Sequence, residues 1–480
     1  MESFNRGRII PLLCVLISVW IIALIPFRII GYGFLPPDDA LRHSAKVISG
    51  KDWNQILVLR DDIKMDSHPG WHAILGAVHR LMHWDAHSLV IFSIISLFLL
   101  FAFTPLLFLR YPESWLITLI LLAIFTPGWL FRLSLGRPYI FTMAVLLAIC
   151  FLWPSLKNKK TPFKTVIFLT FAIAMSTWIH CAWYLFILPI AAFLLAREWR
   201  AGIVFSVCAV LGVIIGASLT GHPVIFLRQT IMHLVLAFSS ADTQNILVTE
   251  FQPALVDIGI VVMIAGMIGW RALRGKWDKK CVDNPVFILA ASSLVLTLIS
   301  TRVFMDWGLP AIAVWLASEF DELLKIPHRR IAISAIACLV LYLAITSDAR
   351  SRWSGFNPID YLSAEDPDQK AWLPDAGGII YSDDMGIFYS TFYKNPHAGW
   401  RYILGFEPGI MPPDDLATLR TIQKNFHLYK YFYPWVKKMR PQDRLIIRGA
   451  PSDKPKIPEL EWYYAAHWTW SGRLPRKNKN

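Results

Sequence analysis

The sequence predicts a polytopic membrane protein, an all-α bundle of about eleven spans followed by a small soluble α/β domain at the C-terminal end. Three observations carry that expectation. Of 480 residues, 55% are hydrophobic and only 17% charged, against about a quarter charged in soluble domains. Apolar runs recur at lengths suited to a bilayer core of about 30 Å. Lys and Arg gather in every second connection between those runs, as the positive-inside rule requires.

In order, the expected spans are 9–30, 88–109, 115–131, 138–154, 163–179, 182–196, 201–219, 254–270, 285–301, 303–318 and 329–346. With the N-terminus inside, the inner connections hold Arg6 and Arg8; Arg110; Lys157, Lys159, Lys160 and Lys164; and Arg197 and Arg200. They continue with Arg271, Arg274, Lys276, Lys279 and Lys280, then Lys325, Arg329 and Arg330. The short outer connections hold Arg132, Arg137, Arg228 and Arg302. Dropping one span would invert every later loop, so the pattern predicts a cytoplasmic N-terminus and an extracytoplasmic C-terminal domain. The first run follows Arg6 and Arg8 as a signal peptide would, but Pro26-Phe27-Arg28 stands where a small-residue cleavage site is needed. An uncleaved first span is expected.

The formal net charge of +13 is explained by these loops, and a nucleic-acid partner is not expected. The six cysteines show neither a disulfide framework nor zinc spacing. No Gly-rich phosphate cradle joins a strand to a helix, and no large cytoplasmic domain is present to bind a nucleotide sugar. If the chain is a transferase, its activated donor arrives through the bilayer, and a lipid-linked sugar is the natural choice.

Two pieces outside the apolar runs are large enough to carry chemistry. One is the loop 31–87, counted with a transmembrane module 1–346; the other is a soluble domain 347–480. In the loop, a helix is expected over 40–49 and an amphipathic one from His68 onward, with Ile74, Leu75, Val78, Leu81 and Met82 at helical spacing. The segment 221–251 reads as a further interfacial element. In the tail, Gly377–Tyr381 reads as a buried strand and Pro412–Asp415 as the start of a helix to about residue 425.

Asp38 and Asp39 are the leading catalytic candidates, with Arg42 and His43 one turn on. Moving a sugar onto a hydroxyl needs a base for the acceptor proton as the anomeric carbon becomes oxocarbenium-like. The same Pro-Pro-Asp-Asp is an ordinary helix start, with Asp capping free N–H groups, and it recurs at Pro412–Asp415. Arg132, Arg137 and Arg302 lie at outer ends of spans, where a guanidinium stabilises the charge growing on a departing lipid phosphate or merely snorkels to headgroups. Arg302, inside a nearly continuous apolar stretch, ranks first among them. His180 caps a tight hairpin and either touches substrate or serves structure. His72, His79, His83 and His87 show no metal spacing.

An acidic pair after the first span, an Asp-Ala-Leu-Arg-His helix and a His68-Pro69-Gly70 segment about thirty residues on together resemble the GT-C membrane glycosyltransferases. That superfamily includes the protein O-mannosyltransferase and aminoarabinose-transferase types. Gly70 stands where many bacterial members carry a second proline. Gly136-Arg137-Pro138-Tyr139 and Ser300-Thr301-Arg302 look similar to Arg-bearing span ends in those proteins. The resemblance implies an inner-membrane hexosyl- or pentosyltransferase, inversion at the anomeric carbon, and a polyprenyl-phosphate sugar donor. It implies a glycan, lipid or protein acceptor, and Asp38 or Asp39 as general base or as ligand, with His68, to a divalent metal such as Mg or Mn. Arg302, Arg137 and Arg132 would bind the carrier phosphate, while His68, Arg42, His43 and His180 would orient substrate. The competing readings are a transporter or flippase of lipid-linked saccharides, a glycan polymerase or ligase of related architecture, and a non-enzymatic scaffold.

Overall fold

Apolar segments in lipid must satisfy their backbone groups internally, and helices do so. The computed structural model describes residues 13, 15–17, 19, 20, 22–27, 35, 36, 38–158, 161–237, 252, 253, 258–273, 275, 278–325, 327–346, 362–466 and 468–475. Most of the expected first span, the basic residues Arg6, Arg8, Lys159, Lys160, Arg274 and Lys276, and residues 238–251 lie outside these. The chain forms two compact units. One comprises Met1–Phe34, Phe92–Pro223 and Glu250–Phe356, the other Leu35–Ile91, Val224–Thr249 and Asn357–Asn480.

The first unit is a helical bundle. From the second onward, every expected span coincides with a helix: Ala86–Phe103, Pro112–Phe125, Tyr139–Lys157, Phe163–Ile179, Ile187–Leu195, Trp199–Ser218, Ile258–Leu273, Pro285–Leu296, Leu309–Leu323 and Pro327–Thr346. Among the described residues, four helices are long and apolar enough to cross a bilayer alone: Ala86–Leu107, Tyr139–Lys157, Trp199–Ser218 and Thr301–Leu323. Shorter apolar helices accompany them. This is a multi-pass membrane protein. Large apolar side chains such as Phe171, Ile203 and Val210 stay exposed, as a surface solvated by lipid allows.

Two local features shape the bundle. Helices Phe163–Ile179 and Trp199–Ser218 approach closely because Gly216 has no side chain; a Cβ there would lie 2.3 Å from the Ala174 carbonyl oxygen. The third expected span breaks at Thr126, which takes a non-helical conformation before Pro127, and a separate short helix, Pro127–Leu133, follows. The residue before a proline disfavours helical backbone, and this break aims Arg132.

The second unit is a sheet with helices on both faces. Strands β1 (Ile379–Tyr381), β2 (Arg401–Tyr402), β3 (Arg444–Arg448), β4 (Glu461–Ala466) and β5 (Thr469–Arg473) lie in the order β2-β1-β3-β5-β4. β1 is parallel to β2 and β3, and β5 is antiparallel to β3 and β4. Successive strand residues face opposite ways, so Ile380 and Ile446 enter one core and Tyr381, Leu445 and Ile447 another. The second core holds Leu419, Phe432 and Trp435 from the aromatic-basic stretch 426–440 and the helix Pro413–Lys424 before it.

The first core holds Ala45, Trp53, Ile56 and Leu57 of the first loop. That loop contributes helices Asp39–Ser49, Trp53–Ile56 and Pro69–Met82. Val58 N donates to the Tyr402 carbonyl at 2.9 Å, extending the sheet edge. Loop and tail, far apart in sequence, therefore share one hydrophobic core. Helix Pro223–Ala237 occupies part of the expected interfacial segment. Its Gln229 accepts from Lys64 N and Met65 N and donates to the Met65 carbonyl, fixing the chain just before Asp66.

Candidate active site

The acidic pair divides its labour. Asp38 is the N-cap of helix Asp39–Ser49, extended at φ −145°, its carboxylate accepting from Asp39 N at 2.6 Å. Asp39, in the first turn, holds Arg42 through Oδ1 at 2.7 Å, and the same oxygen accepts the Tyr389 hydroxyl at 3.2 Å. Tyr389 belongs to helix Met385–Lys394, which Asp384 caps. Arg42 is buried, and its guanidinium lies 4.1 Å from the centre of the Phe406 ring. Burial works against the Arg42 charge, but Asp39, Tyr389 and Asp66 more than offset it and raise its pKa. The Asp39 side chain keeps 22% of its surface exposed, so its carboxylate can meet a substrate.

A chain of four residues lies beside it, His43 from helix Asp39–Ser49, Asp66 and His68 from the connection before helix Pro69–Met82, and His72 from that helix. His43, fully buried, bonds through Nδ1 to His72 Nε2 at 2.8 Å. His72 Nδ1 bonds to Asp66, which also accepts from Trp53 Nε1 and from the backbone N of His68. His68 stands at the head of helix Pro69–Met82, its ring 4.9 Å from that of His43. Burial, with the Arg42 charge second, pushes the His68 imidazole down to about 3. His68 is therefore neutral at physiological pH. For Asp66, burial alone would raise the pKa, but the charge and hydrogen bond of His72 outweigh it and hold the carboxyl below its usual range.

The first unit gathers the remaining candidates around one ring. The guanidinium carbons of Arg132, Arg302 and Arg137 lie 4.6, 5.9 and 6.0 Å from the centre of the Tyr139 ring. The His180 ring sits 6.4 Å away, edge-on. Arg137 follows Gly136, whose φ of +66° makes the turn between helices Pro127–Leu133 and Tyr139–Lys157. His180 Nδ1 lies 3.3 Å from Thr142 Oγ1, which also bonds to Ser176.

Asp306, which the sequence reading did not single out, joins two of the arginines. Arg132 donates to its Oδ1 at 2.9 and 3.2 Å, and Arg302 to its Oδ2 at 3.1 Å. Asp306 is buried within a π-helical turn, Phe304–Gly308, a geometry that often marks functional sites in helices. Its spacing of four from Arg302 was the available signal. Tyr389, Asp66 and His72 were missed as well.

Among the described residues no group of three His, Cys, Asp or Glu side chains is disposed to hold a metal ion. Asp38, Asp39 and His68 do not make such a set, and the Arg42 cation already occupies an Asp39 oxygen.

No family model matches the sequence, and no curated protein matches it. The fold, however, is similar to the crystal structure of ArnT from Cupriavidus metallidurans bound to undecaprenyl phosphate. The match has a TM-score of 0.56 at 14% identity and covers 97% of this chain and 98% of that one. From the bundle to the C-terminal sheet, the chain shares the fold of that structure.

Proposed function

We propose that this protein is a GT-C-type glycosyltransferase that moves a sugar from a polyprenyl-phosphate donor to an acceptor on the extracytoplasmic side of the membrane. The observation that carries the reading is the Asp39 carboxylate, partly exposed at a helix start and fixed by Arg42 and Tyr389. It is supported by a fold shared along the whole chain with a protein crystallised with undecaprenyl phosphate.

In the reaction, the acceptor O–H bond breaks and its proton passes to Asp39. The acceptor oxygen attacks the anomeric carbon from the side opposite the leaving group, and the carbon–oxygen bond to phosphate breaks with inversion. The electron pair leaves with the lipid phosphate. In the first unit, Arg137, Arg132 and Arg302 form a cluster suited to binding a phosphate. Arg132 and Arg302 share Asp306, so one carboxylate is set against two guanidinium groups. A lone carboxylate in this position orders the guanidinium groups without cancelling them. His68, being neutral, offers a hydrogen bond rather than a charge to sugar or acceptor. Asp38 acts by holding the helix start.

The test is transfer by the purified protein in lipid, supplied with polyprenyl-phosphate sugars and scored for release of polyprenyl phosphate. Asp39→Asn is expected to abolish release while the protein inserts and folds. Wild-type turnover in that variant would remove Asp39 from the mechanism. A vesicle assay that found lipid-linked sugar crossing the bilayer without any release of free carrier would favour a flippase. Labelling of cysteines placed at 39 and 384 from the outer side checks the compartment.

A further inference from the structure

One end of the C-terminal sheet carries exposed apolar side chains that its core does not use. Phe426 is 89% exposed, Leu428 53% and Trp468 51%. Phe426, His427 and Trp468 have φ of 52°, 58° and 54°, left-handed backbone that costs free energy for any residue bearing a side chain and that persists only where surrounding contacts impose it.

Those contacts are present and tie the two tips to one place. His427 Nδ1 donates to Asp383 Oδ2 at 2.5 Å, just past the end of β1. Arg448, the last residue of β3, donates to Asp384 Oδ2 at 2.9 Å and to Thr469 Oγ1 at 3.1 Å. Thr469 opens β5 directly after Trp468. Because β1 and β3 are parallel and β5 runs against them, the ends of β1 and β3 and the start of β5 coincide. The 425–428 turn and the β4–β5 turn therefore project from the same end. Exposed Lys424 and Lys430 flank the first of them.

We propose that this end of the sheet docks onto the bilayer surface, with Phe426, Leu428 and Trp468 in the interfacial layer and Lys424 and Lys430 against the phosphates of anionic lipids. Aromatic side chains favour the headgroup region, and lysines beside them are drawn to anionic lipid. Bilayer is the occupant favoured because the chain is itself embedded in one, and because aromatic tips with a basic flank complement a headgroup layer. The proposal does not depend on the catalytic reading.

The test uses the full-length protein in vesicles containing phosphatidylglycerol, with a nitroxide attached at Phe426→Cys, Leu428→Cys or Trp468→Cys, one at a time. Wild-type protein treated identically corrects for the native cysteines, and Lys370→Cys, on an exposed helix of the same unit, serves as an aqueous control. The expected result is a several-fold higher ratio of oxygen to nickel-chelate accessibility at 426 and 468 than at 370, diminished by the double change Lys424→Gln and Lys430→Gln. A ratio equal to that at 370 overturns the proposal. Shielding from both reagents also overturns it, since it would mean that protein and not lipid covers the tips.

Discussion

Tyr389 donates its hydroxyl to Asp39 Oδ1 across 350 residues of sequence, onto the oxygen that also holds Arg42. Two donors on one oxygen fix the rotation of the carboxylate. Removing the hydroxyl takes away a hydrogen bond to a charged group, worth about 1.5–3 kcal/mol, only part of which is expected to reach the transition state. Tyr389→Phe should therefore lower kcat by about ten-fold with KM little changed. Steady-state transfer kinetics would decide it; an unaltered kcat would reduce Tyr389 to a packing role.

Asp38 and Asp39 should separate cleanly in mutagenesis. Asp38 caps a helix, so Asp38→Ala is expected to cost about 1 kcal/mol of stability. Asp38→Asn, which retains an acceptor oxygen, should keep most transfer activity. Thermal unfolding and activity measured on the same preparations would check both. Full loss of activity in a folded Asp38→Asn would shift the base to that residue.

The His43–His72 bond links two helices of the second unit. His72 bonds through Nδ1 to Asp66 and through Nε2 to Nδ1 of His43, so one imidazole ties helix Asp39–Ser49 to the segment that precedes helix Pro69–Met82. Because His43 is fully buried, His72→Ala removes a hydrogen bond to a buried ring nitrogen, at a cost of about 1–3 kcal/mol. The expected outcome is a lower melting temperature in detergent, and a larger drop for Asp66→Ala, which also loses Trp53 and the His68 backbone as partners. An unchanged melting temperature in His72→Ala would show that the pair pins nothing.

How much of this was legible follows from what local sequence can encode. The spans were legible because apolar runs and basic loops are local, repeated signals. The arginines stood out because charge is expensive where they sit, and three of them converge on Tyr139. Asp306 escaped because a single carboxylate between Met305 and Trp307 reads as part of an apolar run, although its offset from Arg302 is that of a helical ion pair. Tyr389 carries no local mark at all, since its relation to Asp39 arises only when loop and tail close one core. His72 looked like one of several scattered histidines, and only the fold supplies Asp66 and His43 to it.

Asp306 invites a contrast between a removed carboxylate and a removed guanidinium. Breaking a buried pair by deleting one partner leaves an uncompensated charge and typically costs about 3–5 kcal/mol. Asp306→Ala removes the carboxylate that both guanidinium groups bond to, of which Arg132 is the buried one, and should destabilise the protein. Arg302→Ala leaves Asp306 still paired with Arg132, so it should fold, with weaker donor binding read as a raised KM. If Arg302→Ala instead melts as low as Asp306→Ala, the arginine is structural.

His68 gives the fold a pH dependence with a definite sign. Its imidazole is pushed from an ordinary 6.5 to about 3 by burial and then by Arg42. Between those values the unfolded chain binds a proton that the folded one refuses, so stability present above pH 6.5 is lost progressively as pH falls toward 3. Asp66, also held below its ordinary 3.8, adds a loss of the same sign at the acid end of that window. His427, raised by its bond to Asp383, has the opposite sign: its contribution is full below pH 6.5 and fades as pH rises through its raised value. Melting temperatures across pH 4–7 should therefore fall on acidification, and His68→Asn should flatten the slope between pH 6.5 and about 5, where Asp66 in the unfolded chain is still almost fully ionised. A parallel slope in that variant would mean that the folded protein accepts the His68 proton after all.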